Sequence, residues 1–477
     1  MSNKTPNLLF IFADQWRRQA VGCMHADPVI TPHMDRFAEE GIVFENALSC
    51  SPVCTPNRAA LLTGKHPFSV NMMYNWLRLP VEEDTIAKAL KRQGYDTGYI
   101  GKWHLDEWDG NPEYGDAWNC FTPAGERRVG FDFWYSNGCV HGHFDLKYMT
   151  TDNEIVEGEV WQVDHETDVA VDYLRNSADQ RDGDKPFCLF LSWAPPHTHH
   201  GGHKYDKEKG GYQYAAPDEF EALYEDRDLP VPPNTNREMF LDAAPGYFGA
   251  VSSMDANFGR IMETLDTLGL SDNTLVVLSA DHGDCLGAHN KYIKDVWYEE
   301  SIGIPLIARW PGHIPAGRRE DMLINTPDFL PSMLGLMGCE IPEGRHGRDL
   351  SDFWRGQGKD EDRRTEAFLS FNAGAPPKEL TRWDVFPDEP GRQWRAVRTE
   401  RYTYIACARG QYGDPAKFSK PLPEGVKQLL IDNENDPWQV NPIYPGQGKD
   451  DVIEELHGRL KAWLDELGDR FLEEDWK

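Results

Sequence analysis

Four polar groups in this 477-residue chain stand directly behind short apolar runs. Asp14-Gln15 follows Leu8–Ala13, Lys102-Trp-His104 follows Thr97–Ile100, Pro195-Pro-His197 follows Phe187–Leu191, and Asp281-His282-Gly-Asp284 follows Thr274–Leu278. Taken singly, each has an ordinary explanation: Asp14 as a helix cap, His197 as a loop histidine, Lys102 as a solvated cation. Taken together, they lie beyond the carboxyl ends of strands, where ligands collect in open α/β sheets, and two carboxylates, a carboxamide and an imidazole from among them can converge there. That donor set suits a divalent metal ion.

A second group is Cys54-Thr-Pro-Asn-Arg58, which runs on through Ala-Ala-Leu-Leu-Thr-Gly64. Pro56 belongs in the first turn of a helix, where its missing N–H costs nothing. Cys54 then falls at the helix amino terminus, a position that attracts anions and lowers the pKa of a thiol. Arg58 faces back toward the same end. A lone cysteine before a helix is more often a buried packing residue, so spacing by itself leaves the role of the thiol open.

The elements that must hold these groups are legible. The four apolar runs have strand length and no polar alternation, the pattern of strands covered on both faces in a parallel sheet. Between them, Asp84-Thr85 caps a helix through Ile86, Ala89 and Leu90 that Gly94 ends. Ala250–Leu268 carries helical spacing up to Gly269. The alternation predicts an α/β fold with a large, mostly parallel sheet flanked by helices. Residues 201–236, rich in Gly, Pro, Tyr and charge, read as a surface excursion. Past Phe371 the segments at 394–399, 401–405 and 428–432 read as short antiparallel strands, and 451–472 as a terminal amphipathic helix. The expected organisation is a catalytic α/β domain over residues 1–375 and a smaller C-terminal α+β subdomain over 376–477, without internal repeats.

Composition narrows the partners. Charged residues make up 27% and aromatics 12%, ordinary for a globular chain. No run of about 18 apolar residues is present, which excludes a spanning helix, and the mean hydropathy is -0.62. The net charge of -30 repels nucleic acid and anionic lipid, so neither nucleic acid nor membrane is an expected partner. The nine cysteines contain no CxxC, and Cys50 and Cys54 lack a second half with zinc spacing. Their odd number argues against a fully paired disulfide framework. Met1–Asn7 is polar and Leu8–Ala13 is too short for a signal core. As written, the chain reads as cytoplasmic, or as periplasmic or secreted with its export signal removed.

In type and order, these residues resemble the type I, formylglycine-dependent sulfatases of the alkaline phosphatase superfamily. Their activation motif, Cys-x-Pro-x-Arg, is matched by Cys54–Arg58, with the usual Leu-Leu-Thr-Gly at 61–64. Asp14-Gln15, Gly101-Lys-Trp-His104, Pro196-His197, Asp281-His-Gly283, Leu286–His289, Lys294, Tyr298-Glu-Glu300 and the closing Leu430–Pro437 follow in the family's sequence, across nearly the whole chain. The resemblance implies an alkaline phosphatase-like fold and a sulfuric-ester hydrolase acting on a sulfated carbohydrate. It implies that a formylglycine-generating maturation enzyme oxidises Cys54, and that the hydrated aldehyde has one oxygen to attack sulfur and a second to expel sulfate. It implies one divalent cation, Ca²⁺, on Asp14, Gln15, Cys54, Asp281 and His282. Arg58 would then hold the aldehyde hydrate, and Lys102 and Lys294 would bind sulfate oxygens. His104 would take a proton from the second hydroxyl, and His197 would serve the leaving oxygen as general acid.

Two positions depart from the common pattern. Gln15 stands where Asp is usual, and His282 where many members carry Asn. Both also fit the phosphonate monoester hydrolases and phosphodiesterases, which tend to open with Asp-Gln but lack the basic pair supplied here by Lys102 and His104. That reading ranks second. Lys291 rivals Lys294 for the final lysine, and the spacing from His289 and to Tyr298 favours Lys294. A silent glycan-binding protein is a third reading, and the filling of every expected polar position argues against it. Trp103, Trp193, His199, His200 and His203 receive no role.

Overall fold

Ten strands pair into the large sheet: β1 (Asn7–Asp14), β2 (Ile42–Leu48), β3 (Asp96–Gly101), β4 (Phe133–Ser136), β5 (Asp145–Thr150), β6 (Ile155–Glu159), β7 (Phe187–Pro196), β8 (Thr274–Ala280), β9 (Leu306–Arg309) and β10 (Arg318–Asn325). The computed structural model describes residues 5–201, 203–225, 227–372, 393–408 and 426–474. The sheet order is β10-β2-β9-β8-β1-β7-β3-β4-β5-β6, and only β9 and β5 run against the others. The four apolar runs become β8, β1, β7 and β3, adjacent and parallel. Every residue of β1, β7 and β8 is buried, as unbroken apolar sequence requires.

Register then aligns the strand ends. Ala13 pairs with Ala280 on one side and Trp193 on the other, and Gly101 pairs with Ser192. The residues that follow emerge along one edge of the sheet. Gly101 is fitted to this edge: its φ is +95°, and a Cβ there would lie 2.1 Å from the Ser192 carbonyl oxygen, so only glycine brings β3 close enough to β7.

Helix boundaries differ from the sequence expectations in two places. The helix expected from Ala250 begins at Arg237 and runs unbroken to Thr267 with Pro245 inside it. Tertiary contact outweighs the Pro-Gly breaker, because Gly246 lets the helix approach the Tyr214 carbonyl, which would stand 2.2 Å from a Cβ. The terminal helix is Asp450–Leu467 and stops at Gly468 in the left-handed region. Beyond it, Asp469 bonds the buried Arg395 at 2.6 Å and accepts the Phe471 N–H at 3.0 Å, starting a separate turn.

A second sheet joins β11 (Glu366–Asn372), β12 (Gln393–Thr399), β13 (Tyr402–Cys407) and β14 (Gln428–Asp432), all antiparallel. One face packs on Val53, Trp297 and Ile302. The other is covered by Ile453, Leu456, Leu460 and Leu464 of the terminal helix. The smaller sheet thus backs both the residue before Cys54 and the loop that bears Lys294. The division expected at 375/376 lies outside the described residues, and the small sheet begins upstream of it with β11. All nine cysteines are free thiols. No helix among the described residues is long and apolar enough to cross a membrane.

Candidate active site

Arg58 assembles the site. The helix Cys54–Thr63 carries Cys54 in its first turn, and Arg58, one turn on, is 1% exposed. Its Nε donates to Asp281 Oδ2 at 2.9 Å and its Nη2 to Asp14 Oδ2 at 3.0 Å. Its Nη1 donates to the Lys102 carbonyl at 2.6 Å and to Ser192 Oγ at 2.9 Å. One planar, permanently charged fork therefore ties the ends of β1, β3 and β8 and the middle of β7 to the helix, a task a lysine cannot perform.

Asp14, Cys54, Asp281 and His282 bring ligand atoms within 4.8 Å of one another, all buried. His282 Nδ1 lies 3.0 Å from the Gly283 carbonyl. A carbonyl only accepts, so Nδ1 carries the proton and Nε2 presents a lone pair. That lone pair is 3.5 Å from Asp14 Oδ1, 3.5 Å from Asp281 Oδ1 and 3.3 Å from Cys54 Sγ. Two carboxylate oxygens and an imidazole lone pair thus converge with no proton between them. This donor set fits a divalent cation, with the second nitrogen of His282 locked as ligating histidines usually are.

Gln15, whose φ is +64°, sits beside this group. Its N–H donates to Asp281 Oδ1 at 3.1 Å, its Nε2 to Asp284 Oδ2 at 2.7 Å, and its Oε1 accepts from Lys294 Nζ at 2.9 Å. Lys294 Nζ also reaches Cys54 Sγ at 3.3 Å. Lys291 instead lines a cavity with Asn234, Trp297 and Tyr444. Lys102 Nζ lies 2.7 Å from Asp14 Oδ2, both fully buried. His197 Nδ1 donates to the Thr198 carbonyl at 3.0 Å, and its Nε2 is 4.0 Å from Asp14 Oδ1. His104 has φ +54°, and neither of its ring nitrogens has a hydrogen-bond partner among the described residues.

The charges follow from these contacts. Burial pushes the Asp14 carboxyl up, but Lys102, His197, Lys294 and Arg58 outweigh it and hold the group well below the usual carboxylate range. Burial works against charge on Lys102, and Asp14 more than offsets it. For Lys294, Cys54 and Asp14 do the same. Both lysines are therefore ammonium ions. Burial, with Lys102 beside His104 and Lys294 beside His197, keeps both imidazoles neutral. Burial and then Asp14 push the Cys54 thiol up to about 11. The helix position favours a low thiol pKa, and the tertiary surroundings reverse it. An unmodified Cys54 is a thiol and a weak nucleophile at neutral pH.

The sulfatase family profile matches residues 6–339, and a second profile, N-sulphoglucosamine sulphohydrolase C-terminal, matches residues 287–466. The chain belongs to the sulfatase family. It is similar to an ulvan-active sulfatase of Formosa agariphila, with 34% identity over 99% of this chain and 83% of that protein. It is 32% identical to an endo-4-O-sulfatase of Bacteroides thetaiotaomicron over 97% of this chain and 92% of that one. A solved Bacteroides thetaiotaomicron structure, described under the metabolism of multiple glycosaminoglycans, superposes with a TM-score of 0.85 at 30% identity, covering 98% of each chain. A phosphonate monoester hydrolase from Silicibacter pomeroyi shares the fold alone, with a TM-score of 0.67 at 19% identity over 98% of this chain and 97% of that one. This sulfatase is accordingly an enzyme, a sulfuric-ester hydrolase on the alkaline phosphatase-like fold.

Several residues of this cluster carry no signal in the sequence. Ser192 lies inside a buried strand yet meets Arg58. Tyr214 donates to Asp284 Oδ2 at 2.7 Å, and Tyr247 to the Gln15 carbonyl at 2.8 Å, both from far along the chain. His141 Nε2 lies 3.4 Å from Lys102 Nζ and 3.2 Å from Cys139 Sγ. Asn57, which donates to the Asp281 carbonyl, occupies a variable position of Cys-x-Pro-x-Arg, so the motif does not mark it. Trp103 and Trp193, neighbours of the motif residues in sequence, are fully buried packing residues.

Proposed function

We propose that this sulfatase removes sulfate from a sulfated saccharide, with Cys54 in its formylglycine form and one divalent cation, Ca²⁺, beside it. The observation that carries the reading is the surroundings of Cys54. Its Sγ is 3.3 Å from Lys294 Nζ, 3.3 Å from His282 Nε2 and 3.5 Å from Asp14 Oδ1, within a motif whose arginine braces both aspartates. The saccharide class is drawn from relatives named for ulvan, for 4-O-sulfate and for glycosaminoglycans.

A formylglycine hydrate, made by a maturation enzyme, would supply an oxygen nucleophile where the thiol now stands. A cation held by Asp14, Asp281, His282 and residue 54, with Gln15 Oε1 alongside, would supply positive charge at that oxygen. The chain's own residues account for the rest. Arg58 holds the two aspartates in place. Lys102 and Lys294 set two ammonium groups around position 54, and preorganised charge of this kind typically contributes about 3–4 kcal/mol per donor. His104, with both ring nitrogens unengaged, is able to take a proton from an oxygen on residue 54. His197 serves the leaving sugar oxygen: a sulfate ester beside it brings the negative charge that favours an imidazolium, which burial and Lys294 otherwise suppress.

The second reading, a phosphonate monoester or phosphodiester hydrolase, rests on Gln15 and His282 and on the more distant fold match, and leaves the Lys102–His104 pair without a purpose. Formylglycine-bearing enzyme should be assayed on ulvan and glycosaminoglycan oligosaccharides beside phosphonate monoesters and phosphodiesters. Sulfate release should predominate. Preference for phosphodiesters over every sulfated saccharide would overturn the reading.

A further inference from the structure

An aromatic ladder leads away from His104. Trp76 stands nearly edge-on to the His104 ring, with centroids 6.2 Å apart and planes at 66°. Trp118 stands edge-on to Trp76 at 4.9 Å and 88°. Trp118 is 53% exposed, the most exposed large apolar side chain among the described residues. Indoles contribute most to stability when buried, so this one gains little for the fold where it stands.

The ladder is firmly anchored. Asn75 Oδ1 accepts the Thr55 N–H at 3.1 Å, and Thr55 Oγ1 donates to the His104 carbonyl at 2.6 Å. The turn bearing Trp76 is thereby pinned to the residue after Cys54 and to His104. Trp76 has φ +63°, like His104 a conformation that bulky residues adopt chiefly where surrounding structure enforces it. Arg78 and Arg127 both hold the buried Asp106, each at 2.7 Å, which joins the Trp76 segment to the chain following His104. Asp116 Oδ1 accepts the N–H of Trp118 at 2.8 Å and of Asn119 at 3.0 Å, and Asn119 Oδ1 accepts the Cys139 N–H at 2.7 Å.

Indole faces carry a negative quadrupole, and the apolar faces of pyranose rings present polarised C–H groups to such surfaces. Resting on the reading of the site as one for a sulfated saccharide, we propose that Trp76 and Trp118 form a stacking subsite for the sugar unit next to the sulfated one. The enzyme thus recognises its sulfated sugar as part of an oligosaccharide.

The test compares wild type with Trp118→Ala on sulfated tetrasaccharides and monosaccharides prepared from ulvan and from 4-O-sulfated glycosaminoglycan. The ratio of kcat/KM for tetrasaccharide to that for monosaccharide should fall about tenfold, mainly through KM. Trp118→Tyr should recover most of it, and Trp438→Ala, at a comparably exposed indole elsewhere (43%), should leave the ratio in place. Equal losses on both substrates, or none, overturn the proposal. If the wild type desulfates no saccharide, the functional reading itself fails. Calorimetric titration of the tetrasaccharides then decides the ladder separately: about tenfold weaker binding by Trp118→Ala sustains it, and equal affinities overturn it.

Discussion

Lys294 Nζ lies 3.3 Å from Cys54 Sγ while the same ammonium holds Gln15 Oε1 at 2.9 Å. A cation so close would ordinarily favour a thiolate. Burial and Asp14 prevail instead, and the thiol is pushed up to about 11. The surroundings of residue 54 suit an oxygen nucleophile and an anionic substrate better than they suit a reactive sulfur.

Active enzyme is therefore expected to carry a carbonyl at residue 54 in place of the thiol. Peptide mass spectrometry on protein made together with a maturation enzyme should show the sulfur gone. Cys54→Ala should lower turnover on the order of a thousandfold or more. Fully active protein with an intact Cys54 thiol would falsify this route.

One divalent cation, calcium, should accompany activity, and a chelator should remove both. His282→Ala should lose metal affinity while remaining folded, because it leaves the bonds from Arg58 to Asp281 and Asp14 in place. Asp281→Ala is a harsher change. It strips the buried Arg58 of one carboxylate, a loss of on the order of 3–5 kcal/mol, so its melting temperature should drop as well. Metal analysis that finds no divalent ion in active enzyme would refute the assignment.

Lys102→Ala should reduce kcat for sulfate esters about a hundredfold or more. Asp14 loses the buried ammonium at 2.7 Å, so the melting temperature should fall as for Asp281→Ala, while its bond to Arg58 at 3.0 Å keeps the carboxylate paired and the variant folded. Steady-state kinetics on a sulfated saccharide decide the matter: a change of only a few-fold would remove Lys102 from sulfate binding.

Glu166 makes stability depend on pH. Burial pushes its carboxyl up to about 8, against the opposing effects of Tyr148 and Arg58. Tyr148 donates to Oε1 at 2.7 Å, and Oε2 has no partner among the described residues. The folded protein keeps a proton that an unfolded chain, with its carboxyl near 4.5, has released. Stability from this group is complete below the unfolded value and is lost as pH rises toward 8, by on the order of a few kcal/mol. Glu166→Gln, neutral throughout, should lose that slope in denaturant titrations across the window. A wild-type-minus-variant difference that stays constant with pH would reject it.

The residues at the four strand ends were readable in advance because strands buried on both faces leave unbroken apolar runs, and the polar residue ending each run is easily seen. Cys-x-Pro-x-Arg was readable because helix starts have local rules. In the Arg237–Thr267 helix the Pro245-Gly246 pair is a local breaker that only packing against Tyr214 overrides, so local sequence rules mark only the part that follows it. The break at Gly468 leaves no trace in the apolar spacing, which continues past it.

The sequence by itself determined which side chains the strands deliver, in what order, and hence the family. Tertiary structure alone decided how they meet. Strand register and packing across the sheet bring residues 14, 58, 102 and 281 to one guanidinium, set the His282 lone pair toward two carboxylates, and place Trp118 beyond Trp76 and His104. Those contacts join positions far apart in the chain, and no local periodicity records them. The reversed pKa of Cys54 has the same origin: the helix end is a local property, whereas burial and a neighbouring carboxylate belong to the assembled fold.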